Sequence, residues 1–172
     1  MTKTFISMSE ELKELALEIL NKGLTIATVE NCTCGLLGAT IGSVCAVPTI
    51  YKGTLNYFND DILKTLMGIG EDVIEANGLY SSQVAMKSAL YASYMFNVDI
   101  CISIIGDAFI HQDTENGIMW ICVCKRINGR VTFKYVKIEA DSSRSNNIEK
   151  AISVALKSAV EHIRDNGQQN NG

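Results

Sequence analysis

Thr25-Ile26-Ala27-Thr28-Val29-Glu30-Asn31-Cys32-Thr33-Cys34-Gly35-Leu36-Leu37 is a β-branched apolar run that enters a polar turn and leaves it as an amphipathic segment. A strand over 24–29 cannot continue through Gly35 while Leu36, Leu37, Ile41 and Val44 keep helical spacing. The pattern therefore predicts a strand, a turn and a helix over 34–44. The free N–H groups that open such a helix, with the positive end of its dipole behind them, can hold an anion or a polarised carbonyl. Glu30, Asn31, Cys32, Thr33, Cys34 and Gly35 are accordingly the first candidate site residues. Asn31 is expected to cap the helix, because its short amide accepts well from N-terminal N–H groups. Glu30 reads equally as a buried acid orienting the turn or as a solvated one. Cys34, in the expected first turn, reads as a small buried residue.

Upstream, Ser7-Met8-Ser9-Glu10 fits a capping box, and Leu12, Leu15, Ala16 and Ile19 recur at helical spacing until Gly23. Downstream, Pro48 marks a loop, 49–57 reads as a strand, and Asn59-Asp60-Asp61 caps a short helix ending at Met67-Gly68. A helical turn or two is expected over 71–76. An Ala-rich helix over 82–96 follows Gly78-Leu79-Tyr80-Ser81, and reads as scaffold. Residues 99–105 and 117–125 are short apolar runs typical of buried strands, separated by a polar loop over 106–116. Asn128-Gly129 is a two-residue hairpin signal that returns 131–138 antiparallel. A last helix over 146–164 carries Ile148, Ile152, Ala155, Leu156, Ala159 and Ile163 on one face, with His162 on its charged side. Helix and strand alternating early, with a hairpin late, imply a three-layer α/β/α sandwich with a mixed, mostly parallel sheet. One domain over 1–165 and a disordered Gly, Gln and Asn tail over 166–172 are expected. Sites in such sheets lie at the carboxyl ends of parallel strands, which brings in the 106–116 loop.

The 172 residues carry 15 Lys and Arg against 19 Asp and Glu, and the basic residues are scattered. No basic stripe faces a phosphate backbone, so nucleic acid is not an expected partner. No apolar run approaches the roughly 18 to 20 residues that span a bilayer. The first six residues lack the apolar stretch of a secretory signal, so a cytoplasmic protein is expected. Six cysteines in mostly apolar segments fit free thiols in a reducing compartment. Cys32/Cys34 and Cys122/Cys124 are Cys-x-Cys pairs, not the usual structural zinc spacing, so neither metal nor cofactor is expected.

The junction resembles the A-E-S-C-T-G-G signature of the CinA C-terminal domain family, with Asn31 at the family's Ser and Cys34 at its first Gly. The likeness extends through Gly23-Leu24-Thr25-Ile26-Ala27-Thr28 (family G-L-T-I-A-T-A) and residues 51–59 (F-x-G-G-V-V-x-Y-S-N). Leu66-Met67-Gly68-Ile69 resembles L-L-G-V, and Gly78-Leu79-Tyr80-Ser81 resembles G-A-V-S. The family's molybdopterin-binding-like partner domain has no counterpart here, so a divergent stand-alone member is expected. Active members of this family resemble nicotinamide-nucleotide amidases, hydrolysing nicotinamide mononucleotide with a Ser, a nearby Tyr and a Lys. A hydroxyl nucleophile needs such a base. By this resemblance the catalytic positions are Asn31 and Tyr57, or Phe58 in the alternative register. The Lys falls on Ile62 or Leu63, with Lys64 one or two residues away. Asn59, Gly106 and Arg144 join Glu30, Cys32, Thr33, Cys34 and Gly35 as substrate-binding candidates.

The family's glycine-rich loop is replaced by Gly106-Asp107-Ala108-Phe109-Ile110, with Asp113 and Glu115 further along. Apolar bulk and carboxylates there oppose a phosphate. His111 reads as a loop residue, and Arg144 as a solvated residue or an anion clamp. Two functions remain: a binding or interaction protein that has lost amidase chemistry, or an amidase using Cys32 or Cys34. A small-molecule ligand is the expected partner of either. Self-association as a dimer is expected from the resemblance and from Tyr51, Phe58, Tyr91, Tyr94 and Met95, which exceed what one small core needs.

Overall fold

A computed structural model describes residues 9–45, 49–111 and 117–165. Ser7, Pro48, Asp113, Glu115 and the 166–172 tail lie outside them. Helix α1 (Glu10–Lys22) is capped by Ser9, whose Oγ accepts from Leu12 N at 3.3 Å, not by Ser7 as the capping-box pattern suggested. Gly23 ends it in the left-handed region, where a side chain would be strained. Strand β1 (Ile26–Glu30) leads to α2 (Leu36–Cys45), two residues later than the sequence pattern places it. Then come β2 (Tyr51–Asn56), α3 (Asp61–Thr65), α4 (Glu71–Asn77) and α5 (Ser82–Met95), the last capped by Ser81. Strands β3 (Ile100–Gly106), β4 (Ile118–Ile127) and β5 (Arg130–Glu139) and helix α6 (Arg144–Arg164) complete the chain. Asn128 and Gly129 both have positive φ, as the tight β4–β5 turn requires.

The strands order as β2-β1-β3-β4-β5. β1 pairs in parallel with β2 and β3, whereas β3–β4 and β4–β5 are antiparallel, so the sheet is mixed and only β4 runs against the other four. Every residue of β1 and β3 is buried, because helices cover both faces. On one face Leu12, Ile19, Leu37, Ile41 and Leu156 from α1, α2 and α6 pack on Ile26, Ile102 and Ile121. On the other, Val84, Ala85, Ala89 and Ala92 of α5 pack on Ala27, Val29, Cys101 and Cys122. The alanines bring α5 close to the sheet, which is why so small-sided a helix can be scaffold.

Two polar residues sit elsewhere than their local pattern implies. His162 is buried, not solvated, with Nε2 3.2 Å from Thr132 Oγ1. Burial holds its pKa below the ordinary value. Asn147 is fully buried on α6, its amide donating to the Ala108 and Ser142 carbonyls, so it ties the β3–β4 loop to α6. No helix among the described residues is long and apolar enough to cross a membrane.

Candidate functional site

β1 ends on Glu30, and the turn over 31–35 reverses the chain so that α2 starts directly above the carboxylate. Glu30 is fully buried. Its Oε2 accepts from Leu37 N at 3.0 Å and Thr33 Oγ1 at 2.6 Å, and its Oε1 from Gly38 N at 2.7 Å and Thr28 Oγ1 at 3.1 Å. The Thr54 hydroxyl reaches the same Oε1 at 3.4 Å, contacts Thr28 Oγ1, and bonds Tyr51 OH at 2.9 Å. Glu30 is thus the orienting acid of the turn, and the anion at the α2 N-terminus belongs to the chain itself. This also displaces Asn31 from the capping role the sequence suggested. The cap comes from the strand because the helix starts at Leu36, so the first unpaired N–H groups lie over Glu30. Gly38 makes the approach feasible: a Cβ there would stand 1.9 Å from Thr54 Oγ1.

Thr33, expected among the ligand contacts, is spent on Glu30 and nearly inaccessible. Cys34 is exposed, not buried, and holds φ 52° in the turn before the helix. Cys32 is buried beneath it, and burial pushes its thiol up to about 12, so it is protonated and non-nucleophilic at neutral pH. Arg144, the first residue of α6, is no solvated loop residue. Its Nη2 donates to Cys32 O at 3.0 Å and stands 3.9 Å from Cys34 Sγ, while its guanidinium covers the Phe109 ring at 5.2 Å.

Asn31 opens the turn after β1, and Tyr57, on the α5 side, donates its N–H to Glu30 O at 3.0 Å. Asn31 is buried, and no described residue hydrogen-bonds its side-chain amide. The Tyr57 phenol and the Ser88 hydroxyl of α5 are near each other but do not reach hydrogen-bond geometry, which leaves both buried oxygens without a partner. Burial raises the Tyr57 pKa well above the phenol range, with Asp60 adding to it. Asp60 is itself raised by burial and then by Asp61, and Tyr80 by burial, Asp60 and Asp107 in turn. The sequence marks Asp60 only as part of a helix cap and Tyr80 only within a motif likeness, not as site residues. Ser88 shows no local signal beyond a polar residue on an apolar helix face.

Phe58, by contrast, is 70% exposed, so the junction tyrosine is Tyr57. Ile62 packs against the α5-side core, Leu63 is buried in it, and Lys64 points away to an ion pair with Glu71. No base is delivered to Asn31 or Tyr57 by these residues. Asn59 is exposed, and its Oδ1 accepts from Asp61 N at 3.0 Å. Gly106 packs closely on β4, since a Cβ would lie 2.1 Å from Ile118 O, and it shapes the β3–β4 connection. Ala108 is core, not an obstruction, whereas Phe109 and Ile110 are exposed. Asp107 bonds His111 Nε2 at 2.6 Å, so this carboxylate has a partner and His111 is more than a loop residue. No group of three His, Cys, Asp or Glu among the described residues is placed to hold a metal.

A mixed sheet between helix layers, with a strand-turn-helix junction at its carboxyl edge, defines the class: an α/β protein of the open-sheet kind. The profile of the CinA C-terminal domain matches residues 8–163, and the chain belongs to that family. A CinA-like protein of Mycobacterium sp. (strain JLS) is 32% identical over 136 residues, 78% of this chain and 32% of the relative. One of Dictyoglomus thermophilum is 30% identical over 135 residues, 77% of this chain and 33% of its own length. The chain thus spans about a third of the curated relatives it matches. Among solved structures, a CinA superfamily protein of Klebsiella pneumoniae superposes with TM-score 0.79 at 18% identity, covering 90% of this chain and 96% of that one. A competence or damage-inducible protein of Enterobacter asburiae gives TM-score 0.73 at 23% identity, covering 90% and 96%. At these identities the superpositions establish the fold.

Proposed function

We propose that this chain is a member of the CinA C-terminal domain family without amidase activity, which binds a small molecule at the junction on the α5 side of the sheet. One observation carries the reading: the position of the family's Ser is a buried Asn31, and the side chains at the Lys positions are the aliphatic Ile62 and Leu63. A carboxamide is not a practical nucleophile, and Lys64 is held by Glu71. Cys32 offers no thiolate. Neither attack nor deprotonation has its group. Ammonia release from nicotinamide mononucleotide by the purified chain tests this: no turnover above buffer is expected, and robust turnover refutes it.

A second reading, hydrolysis by Cys34, is favoured by one observation, the exposed thiol beside the Arg144 guanidinium. It requires turnover that Cys34→Ala abolishes. Self-association belongs to the proposal as well: Phe58, Tyr94 and Met95 are exposed and suit an interface, while Tyr51 and Tyr91 are packed and do not. Light scattering that gives a monomer at high concentration counts against a dimer. Six unpaired thiols support a reducing, cytoplasmic setting, and the acidic, scattered charge supports a partner other than nucleic acid.

A further inference from the structure

The sheet has two open edges, and the fold treats them differently. At β2 the pairing slips between Ile26 and Ala27 and Gly53 holds φ 136°, an irregularity that breaks the row of outward backbone groups. β5 runs 10 residues against β4 without a register shift. Arg126 N donates to Asp99 O at 2.7 Å and Ala140 N to Gly117 O at 2.9 Å, which fixes the phase of the ladder: even-numbered residues of β5 bond β4. Val131, Phe133, Tyr135, Lys137 and Glu139 therefore turn their N–H and C=O groups to the open side, where no described residue bonds them. On the α5 face of the same strand, Val131 and Phe133 sit at the margin of the core, and Tyr135 is 41% exposed with its ring stacked on Phe133 at 6.2 Å. Arg126, the cross-strand neighbour of Val131, lies over the exposed Tyr94 ring and donates to Val98 O and Asn97 Oδ1, with no carboxylate on it among the described residues. Lys134 and Lys137, charges of the kind that guard an edge, are paired within the chain to Glu161 and Glu139.

We propose that β5 is the surface of self-association: a second copy of this chain pairs with it edge to edge, antiparallel about a two-fold axis at Tyr135, so that the two sheets run on into one. The inference rests on the self-association proposed above and adds the surface that carries it. Tyr135 is the midpoint of the outward residues, so an axis there lets the whole edge from Val131 to Glu139 pair. In this register Tyr135 meets its own copy, the intrachain stack with Phe133 extends to a row of four rings, and the Lys137 ammonium stands opposite Phe133 of the second copy. Glu139 falls opposite Val131, next to the Arg126 guanidinium that lacks a carboxylate of its own. The acidic end of one strand thus meets the basic end of the other twice, whereas parallel pairing brings like ends together. An unrelated strand would have to match both the row of rings and this charge polarity; a second copy supplies both by symmetry.

Sedimentation equilibrium of the full chain at neutral pH is expected to give a dimer. Tyr135→Lys sets two ammonium groups side by side on the axis and should raise the dissociation constant about 100-fold or more. Phe58→Lys, an exposed position beyond the opposite edge of the sheet, should change it by less than about twofold. Tyr135 is exposed, so the first variant keeps the fold, which its thermal melt verifies. A second variant works without destabilising the pair. Tyr135→Cys, in a Cys34→Ala background that removes the exposed native thiol, should give a covalent dimer with diamide, which takes up the two protons and two electrons as two thiols become one disulfide. Residues facing each other at a hydrogen-bonded antiparallel pair stand about 5.5 Å apart at Cα, within disulfide reach. Lys137→Cys in the same background lies off the axis and should stay monomeric on a denaturing gel. A dimer unchanged by Tyr135→Lys, one dissociated equally by Phe58→Lys, or cross-linking through Lys137→Cys as readily as through Tyr135→Cys overturns the proposal. The masses separate the two claims. A wild-type monomer at high concentration refutes self-association and this surface with it, whereas a wild-type dimer that Tyr135→Lys leaves intact refutes only the surface.

Discussion

Glu30 and Tyr57 are joined by a backbone hydrogen bond at the ends of neighbouring strands, yet their side chains meet opposite treatment. The Glu30 carboxylate accepts from two backbone N–H groups and two threonine hydroxyls within 3.1 Å. Across the sheet, Tyr57 and Ser88 are also buried, and their oxygens are left unmatched. Both regions are polar and dry, so burial alone does not separate structure from function. Saturation does: a fully bonded group holds the turn, and an unbonded one is available to something else.

The largest expected effect breaks the saturated side. Glu30→Ala strands the Leu37 and Gly38 N–H groups and the Thr33 hydroxyl, and should cost about 3–5 kcal/mol in urea unfolding, against about 1 kcal/mol or less for Asn31→Ala. If the two substitutions cost the same, the contrast fails. Next comes Gly38→Ala, which places a methyl against Thr54 Oγ1 and Tyr51 OH and should cost about 1–3 kcal/mol by pushing α2 off Glu30.

Smaller, and opposite in sign, are changes on the unsaturated side. Ser88→Ala and Tyr57→Phe remove buried hydroxyls that have no partner, so stability should be unchanged or raised by up to about 1 kcal/mol. A loss of about 2 kcal/mol in either melt would show that the pair is structural. Smallest is a pH effect at Asp60. Burial raises its folded pKa above the unfolded value, so its contribution is fully present below the unfolded pKa and is lost as pH rises through the folded one. Asp60→Asn should therefore leave stability unchanged at low pH, where the carboxyl is neutral in both states, and raise it slightly at neutral pH, so that the acid limb becomes slightly steeper. A lower melt at neutral pH in the variant would mean that the Asp60 charge is compensated after all.

Much of the fold was legible because its signals are local. Helical spacing in α1 and α6, the glycine stop at Gly23 and the Asn128-Gly129 turn each act within a few residues. The cap at Ser9 in place of Ser7 shows the limit, since two serines two apart offer nearly the same pattern. At the candidate site, the place of the junction could be read directly. The identity of the α2 cap could not, because Glu30 reaches Leu37 and Gly38 only once the 31–35 turn is folded. Nor could the role of Arg144, which meets Cys32 from 112 residues away.

The sequence by itself determined the α/β alternation and the strand-turn-helix junction after β1, with Asn31 following Glu30, all properties of residue type and short-range spacing. Tertiary structure alone decided that Glu30 is the buried cap, that Cys34 is exposed while Cys32 is not, and that Tyr57 and Ser88 face each other unbonded. Those outcomes depend on which distant elements pack over each side chain. Burial and hydrogen-bond saturation are properties of the assembled layers, and no single segment carries them.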